Sequence, residues 1–164
     1  MNLNDELAIT RDRLRFIKNT QSANLCYLAI LLNVFYFVSI YKSDVGTYYY
    51  NILIGASIVY NLVFMLAVFL SSEEVKNYNM KYSYLLGVIG LLQIARIFII
   101  PMRAHAAKTV VNGKEVLVMH GGQFTRVCIY LAASAAFLLA AAAINIKKCN
   151  ELSEHMNSIG AQNV

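Results

Sequence analysis

Arg96 is the residue in this chain whose setting makes it most suited to chemistry. It sits inside the apolar run YSYLLGVIGLLQIARIFIIP, Tyr82 to Pro101, with Gln93 one turn before it. A guanidinium at the centre of a bilayer costs about 2.5–3.5 kcal/mol on insertion scales, so it needs a partner or a wet cavity. Pro101 follows five residues later, and the long stem could instead carry the charge out to the headgroups. None of the nine Asp and Glu residues falls inside an apolar run. A strong counter-charge at that depth is therefore expected from lipid phosphate, a bound anion or another subunit. Counting depth at ~1.5 Å per residue sets Arg96 level with Val34 and close to Tyr130. Asn33, Gln93, Arg96 and Tyr130 are thus expected to form a polar layer. Such a layer either satisfies itself and fixes helix register, or lines an anion path as a ring of Arg96 residues about an oligomer axis.

A second candidate is the pair His105 and His120. Between them lies AKTVVNGKEVLVM, in which Asn112-Gly113 carries the strongest short signal for a two-residue hairpin turn. β-Branched residues flank it on both sides. The turn sets Val111 opposite Lys114 and Val110 opposite Glu115. Continued outward, the register brings His105 opposite His120, where two imidazoles could sense pH or hold a metal. Against this, MRAHAA is a good helix-forming run, which would break the register before His105.

No catalytic pattern is present: no phosphate-cradling glycine loop, no HExxH, no nucleophile elbow and no paired carboxylates in an apolar run. Neither an enzyme nor a cofactor is expected. Three cysteines, Cys26, Cys128 and Cys149, lack motif spacing, so no disulfide framework or metal site follows.

The elements that position these residues are membrane spans. The chain has 164 residues, of which 59% are hydrophobic and 14% charged, with mean hydropathy +0.53. A soluble domain could not cover that much apolar surface. The expected fold is an all-α integral membrane protein, a four-transmembrane-helix bundle with spans over 22–41, 47–70, 82–103 and 124–146. An amphipathic N-terminal helix is expected over 1–21, a small β-hairpin between helices 3 and 4 over 104–122, and a polar, frayed tail over 147–164. The whole forms a single membrane domain. With no Trp, the 11 tyrosines must supply the interfacial belts. Tyr41 and Tyr48 to Tyr50 would mark one face, and Tyr78, Tyr82 and Tyr84 the other.

Ser57, Tyr60 and Asn61 share one face of the second span at i, i+3 and i+4, while Gly87 and Gly90 on the third invite close helix approach. Ala132, Ala136 and Ala140 make a small-residue row on the fourth, suited to packing within the subunit or between copies. Lys and Arg fall mostly on the side of the two termini, which favours both termini in the cytoplasm. The +5 charge has no basic face interleaved with aromatics outside the spans, so no nucleic-acid partner is expected. Membrane lipids, further copies or other membrane subunits are. Together these features suit a homo-oligomeric channel or transport subunit with a narrow pathway, or an accessory subunit of a larger membrane complex.

Overall fold

The computed structural model describes residues 17–40, 48–111 and 113–162. Among them the chain forms α1 (Thr20–Ile40), α2 (Tyr48–Lys76), α3 (Met80–Ile99), α4 (Pro101–Ala106), strands β1 (Lys108–Val111) and β2 (Lys114–Leu117), and α5 (Gly121–Gln162). The segments Thr20–Ile40, Gly55–Lys76, Met80–Ala106 and Gly121–Asn157 are each long and apolar enough to cross a membrane. These four helices mark a membrane protein. Most of the N-terminal amphipathic helix expected over 1–21, together with Tyr41 and Asn112, lies outside the described residues, as do the side chains of Tyr48 to Tyr50.

Several boundaries differ from the expected spans, each for a physical reason. Helix α2 continues past residue 70 because Ser71 and Ser72 donate their hydroxyls to the Ala67 and Phe69 carbonyls, both at 2.7 Å. Their polarity is absorbed inside the helix, and the connection shrinks to residues 77–79. There Tyr78 takes a left-handed φ of 60°, and the Asn79 side chain caps α3 by accepting from the Lys81 N–H at 3.2 Å. Helix α3 stops at Ile99 because Pro101 has no N–H to continue the ladder. Its favoured place is the first turn of a helix, and the short α4 starts there. The expected frayed tail is helical in the structure. Helix α5 runs for 42 residues, about 63 Å at ~1.5 Å per residue, twice a hydrocarbon core of ~30 Å.

Helix α5 is the spine of the bundle: it packs chiefly on α1 and α3, α1 also packs on α2, and α2 meets α3 lightly. One apolar cluster joins Cys26 and Ala29 of α1, Phe64 and Val68 of α2, Leu86 and Ile89 of α3, and Leu138 and Ala141 of α5. A smaller one joins Tyr36 to Val127 and Leu131. Of the two third-span glycines, only Gly90 sits at a close approach, where a Cβ would come within 3.1 Å of Leu139. A Cβ on Gly87 would meet nothing within 4 Å. Large apolar side chains such as Val59, Val63, Leu91 and Phe98 remain more than half exposed on the outside. That pattern belongs to a surface solvated by lipid.

The strands pair antiparallel as Lys108↔Leu117, Thr109↔Val116, Val110↔Glu115 and Val111↔Lys114, with Gly113 at φ 74° in the turn. One further backbone bond, from the Val118 N–H to the Ala107 carbonyl at 3.0 Å, closes the ladder where α4 ends. The register therefore stops short of His105, which lies in α4.

Candidate functional site

Polar side chains on three-and-four spacing share one face of a helix, and in lipid that face turns inward. Helix α1 brings Asn33 and Tyr36, α2 brings Ser57, Tyr60 and Asn61, α3 brings Gln93 and Arg96, and α5 brings Ser134. All but the half-buried Tyr60 are buried, and Arg96 is only 4% exposed. The guanidinium therefore does not snorkel: it turns into the bundle. Its Nη1 donates to Asn61 Oδ1 at 2.7 Å and, at a longer 3.4 Å, to Asn33 Oδ1. Its Nη2 donates to Ser57 Oγ at 2.7 Å. The Tyr36 and Tyr60 rings face it at 4.3 and 4.6 Å from their centroids, a cation–π arrangement with each.

The amides continue the network. Asn33 Nδ2 donates to Asn61 Oδ1 at 3.1 Å, and Gln93 Nε2 to Asn33 Oδ1 at 3.2 Å. Gln93 Nε2 also reaches Ser134 Oγ at 3.4 Å, and that hydroxyl donates to the Ala29 carbonyl at 3.1 Å. Four helices are thereby tied at one level. Asn61 Nδ2 and Gln93 Oε1 are buried without a hydrogen-bond partner among the described residues.

Three of the four residues of the expected layer, Asn33, Gln93 and Arg96, meet in this cluster. Tyr130 does not join the bonds described: it packs beside Tyr36, Val127 and Leu131, its ring 6.0 Å from Phe35. Ser57, Tyr60 and Asn61 replace it. Depth counting along α1, α3 and α5 missed them, because the connection between α2 and α3 was expected over 71–81 and the structure narrows it to 77–79. Lys76 and Met80 flank that turn, so an antiparallel register sets Tyr60 opposite Arg96.

A cavity of about 250 Å³ opens between α2 and α3, where their packing is light. Ser57, Tyr60 and Arg96 supply its polar end, and Ala56, Ala95 and Ile99 are among its apolar walls. Among the described residues no Asp or Glu lines it. A guanidinium, a hydroxyl and a phenol can all donate hydrogen bonds, so the polar end suits an acceptor carrying negative charge.

The two histidines are not brought together by the ladder. The His105 ring stacks on Phe124 at 4.6 Å, and its Nδ1 donates to the Met119 carbonyl at 3.0 Å, pinning the hairpin to the start of α5. His120 is exposed just before α5, where its carbonyl accepts from the Gln123 and Phe124 N–H groups. Among the described residues no group of three or more His, Cys, Asp or Glu could hold a metal ion. Ala132, Ala136 and Ala140 are all exposed. Packing inside the subunit is done instead by Ala135, Leu138, Ala141 and Ala142 on the opposite side of α5.

A second polar cluster ties the other end of the bundle. Asn19 Nδ2 donates to Asn145 Oδ1 at 2.8 Å and Ser22 Oγ at 2.9 Å, and Lys148 Nζ donates to Asn19 Oδ1 at 3.1 Å. Asn145 Nδ2 donates to Ser83 Oγ at 2.7 Å and to the Asn79 carbonyl at 3.3 Å. Ser134 and Asn145 stand eleven residues, three turns, apart on α5. That spacing is the signal for two polar layers on one buried stripe. Comparison with protein-family models, with curated proteins and with solved structures finds no match for this chain.

Proposed function

We propose that this chain is a non-catalytic multi-pass membrane protein that works by holding an anionic group against Arg96, presented from within the plane of the membrane. The observation that carries this is the α2–α3 cavity, with donors at its inner end and apolar walls leading outward. On the bundle side Arg96 is met by amides, a hydroxyl and aromatic rings. An anion near 4 Å from the guanidinium would gain about 4 kcal/mol at an effective dielectric of about 20, before its own desolvation. Such a protein serves as a transport or accessory subunit. Both termini in the cytoplasm follow from the charge asymmetry of its loops. The test is native mass spectrometry of protein taken from its own membrane in mild detergent. An anionic small molecule or acidic membrane chain that accompanies the wild type and is lost from Arg96→Gln supports the proposal. Identical composition in the two would remove it.

A second version, a homo-oligomeric channel or transport assembly, is favoured by the exposed row Ala132, Ala136 and Ala140, where two α5 backbones could approach closely. A closed homo-oligomer that falls to monomer in Ala136→Leu supports it. Anion conductance unchanged in Arg96→Ala and Arg96→Glu would sink its pore form.

A further inference from the structure

Resting on the anion-contact proposal, we infer that the occupant of the α2–α3 cavity is the carboxylate head and first methylenes of a single-chain anionic amphiphile, supplied by the bilayer. Size is the first reason. The cavity holds about 250 Å³, below the roughly 300–1,000 Å³ of pockets that enclose a whole small molecule. It fits a small head with the start of a chain, and the rest of the occupant must lie outside, in lipid. A carboxylate is the smallest anionic head and matches the planar guanidinium geometrically.

Hydrogen bonding is the second reason. Arg96 donates to Ser57 Oγ, which leaves the Ser57 proton to be donated in turn. With the Tyr60 phenol, the inner end offers donors from two helices to one pair of carboxylate oxygens, and no Asp or Glu is among the described lining residues.

The mouth supplies the third reason, and it separates an amphiphile from the acidic side chain of a partner helix. Helix association in lipid needs small residues that let backbones approach. Leu92 and Ile99 in its lining are instead exposed by half or more, as are Val59, Val63 and Leu91 on the same two helices. Large aliphatic side chains hold a partner backbone away but are readily solvated by acyl chains. Exposed small residues also line the cavity, Ala56 and Ala95, but the i, i+4 row that close helix packing uses, Ala132, Ala136 and Ala140, is on α5.

The test uses purified full-length protein in nonionic detergent, titrated with palmitate labelled with ¹³C at the carboxyl. Hexadecanol, which has the chain without the charge, and a two-chain phosphatidate run in parallel. The expected result is a saturable carboxyl resonance distinct from micellar palmitate, one per chain. It should weaken at least tenfold in Arg96→Gln and in Ala95→Leu, which fills the cavity from its wall without touching the polar network. Hexadecanol should not compete, and phosphatidate should compete poorly. Equal palmitate binding by wild type and Ala95→Leu, both folded by circular dichroism, would overturn the inference, as would competition by hexadecanol. If palmitate fails but an acidic membrane chain cross-links to Ala95→Cys, the amphiphile is wrong and the anion contact survives. If neither binds, both fall.

Discussion

Arg96→Met should change stability very little, while Asn61→Ala, which removes only a neutral amide, should cost more. The two short bonds from the guanidinium, to Asn61 and Ser57 at 2.7 Å, are worth together about 2–3 kcal/mol at the upper end measured between membrane helices. The Tyr36 and Tyr60 faces at 4.3 and 4.6 Å add about 1 kcal/mol each. Against that stands about 2.5–3.5 kcal/mol for keeping a guanidinium at membrane depth. The difference is about 1.5 kcal/mol in favour of Arg96, and Met recovers part of it by filling the same space. Asn61→Ala leaves the charge in place and strips its best acceptor, together with the acceptor of Asn33 Nδ2. Leaving a buried charged donor underbonded costs about 2–3 kcal/mol or more. The double variant should then be less destabilised than the sum of the singles. The assay is unfolding in mixed detergent micelles, read by reaction of the buried thiol of Cys26 (0% exposed) with a thiol-specific fluorophore. A loss above about 3 kcal/mol for Arg96→Met would refute the reasoning. Arg96 would then be a keystone of the fold, and its cost to the membrane would need no function to explain it.

Asn145→Ala should loosen the opposite end of the bundle by about 2 kcal/mol, since three bonds between elements are lost at ~0.6 kcal/mol each. Faster amide exchange at residues 77–79 would locate the effect. The two glycines of α3 should part company in the same unfolding assay. Gly90→Val forces a side chain against Leu139 and should cost about 1–3 kcal/mol. Gly87→Ala meets open space and should be neutral or gain up to about 1 kcal/mol in helix propensity. His105→Ala removes the Phe124 stack and the bond to Met119 and should cost about 1–2 kcal/mol. His120→Ala, at an exposed position, should stay within about 0.5 kcal/mol.

The spans were legible because lipid demands an unbroken apolar run, and no other element produces one of that length. Their ends were harder. Ser71 and Ser72 look like loop residues, yet a hydroxyl can bond back to its own helix, and nothing local in the sequence decides between the two. Lys147 and Lys148 look like a stop, but charge stops a span, not a helix, and α5 continues to Gln162. At the site, the shared level of Asn33, Gln93 and Arg96 followed from counting depth along the spans. The partnership of Arg96 with Ser57 and Asn61 depends on how α2 and α3 register across a three-residue turn. That register is fixed by Tyr78 at a positive φ and by the Asn79 cap, which are tertiary details. The cavity follows from light packing between α2 and α3, a property of four helices together that no single helix carries.

The most direct test of the anion contact asks what reaches Arg96. A spin label on Ala95→Cys, with the three native cysteines replaced and the protein in vesicles, can be relaxed by oxygen from the bilayer or by a nickel chelate from water. Approach from the membrane plane predicts strong relaxation by oxygen, little by nickel, and immobilisation of the label when palmitate is added. Dominant relaxation by nickel would put water at the cavity and replace lateral binding with an aqueous pathway.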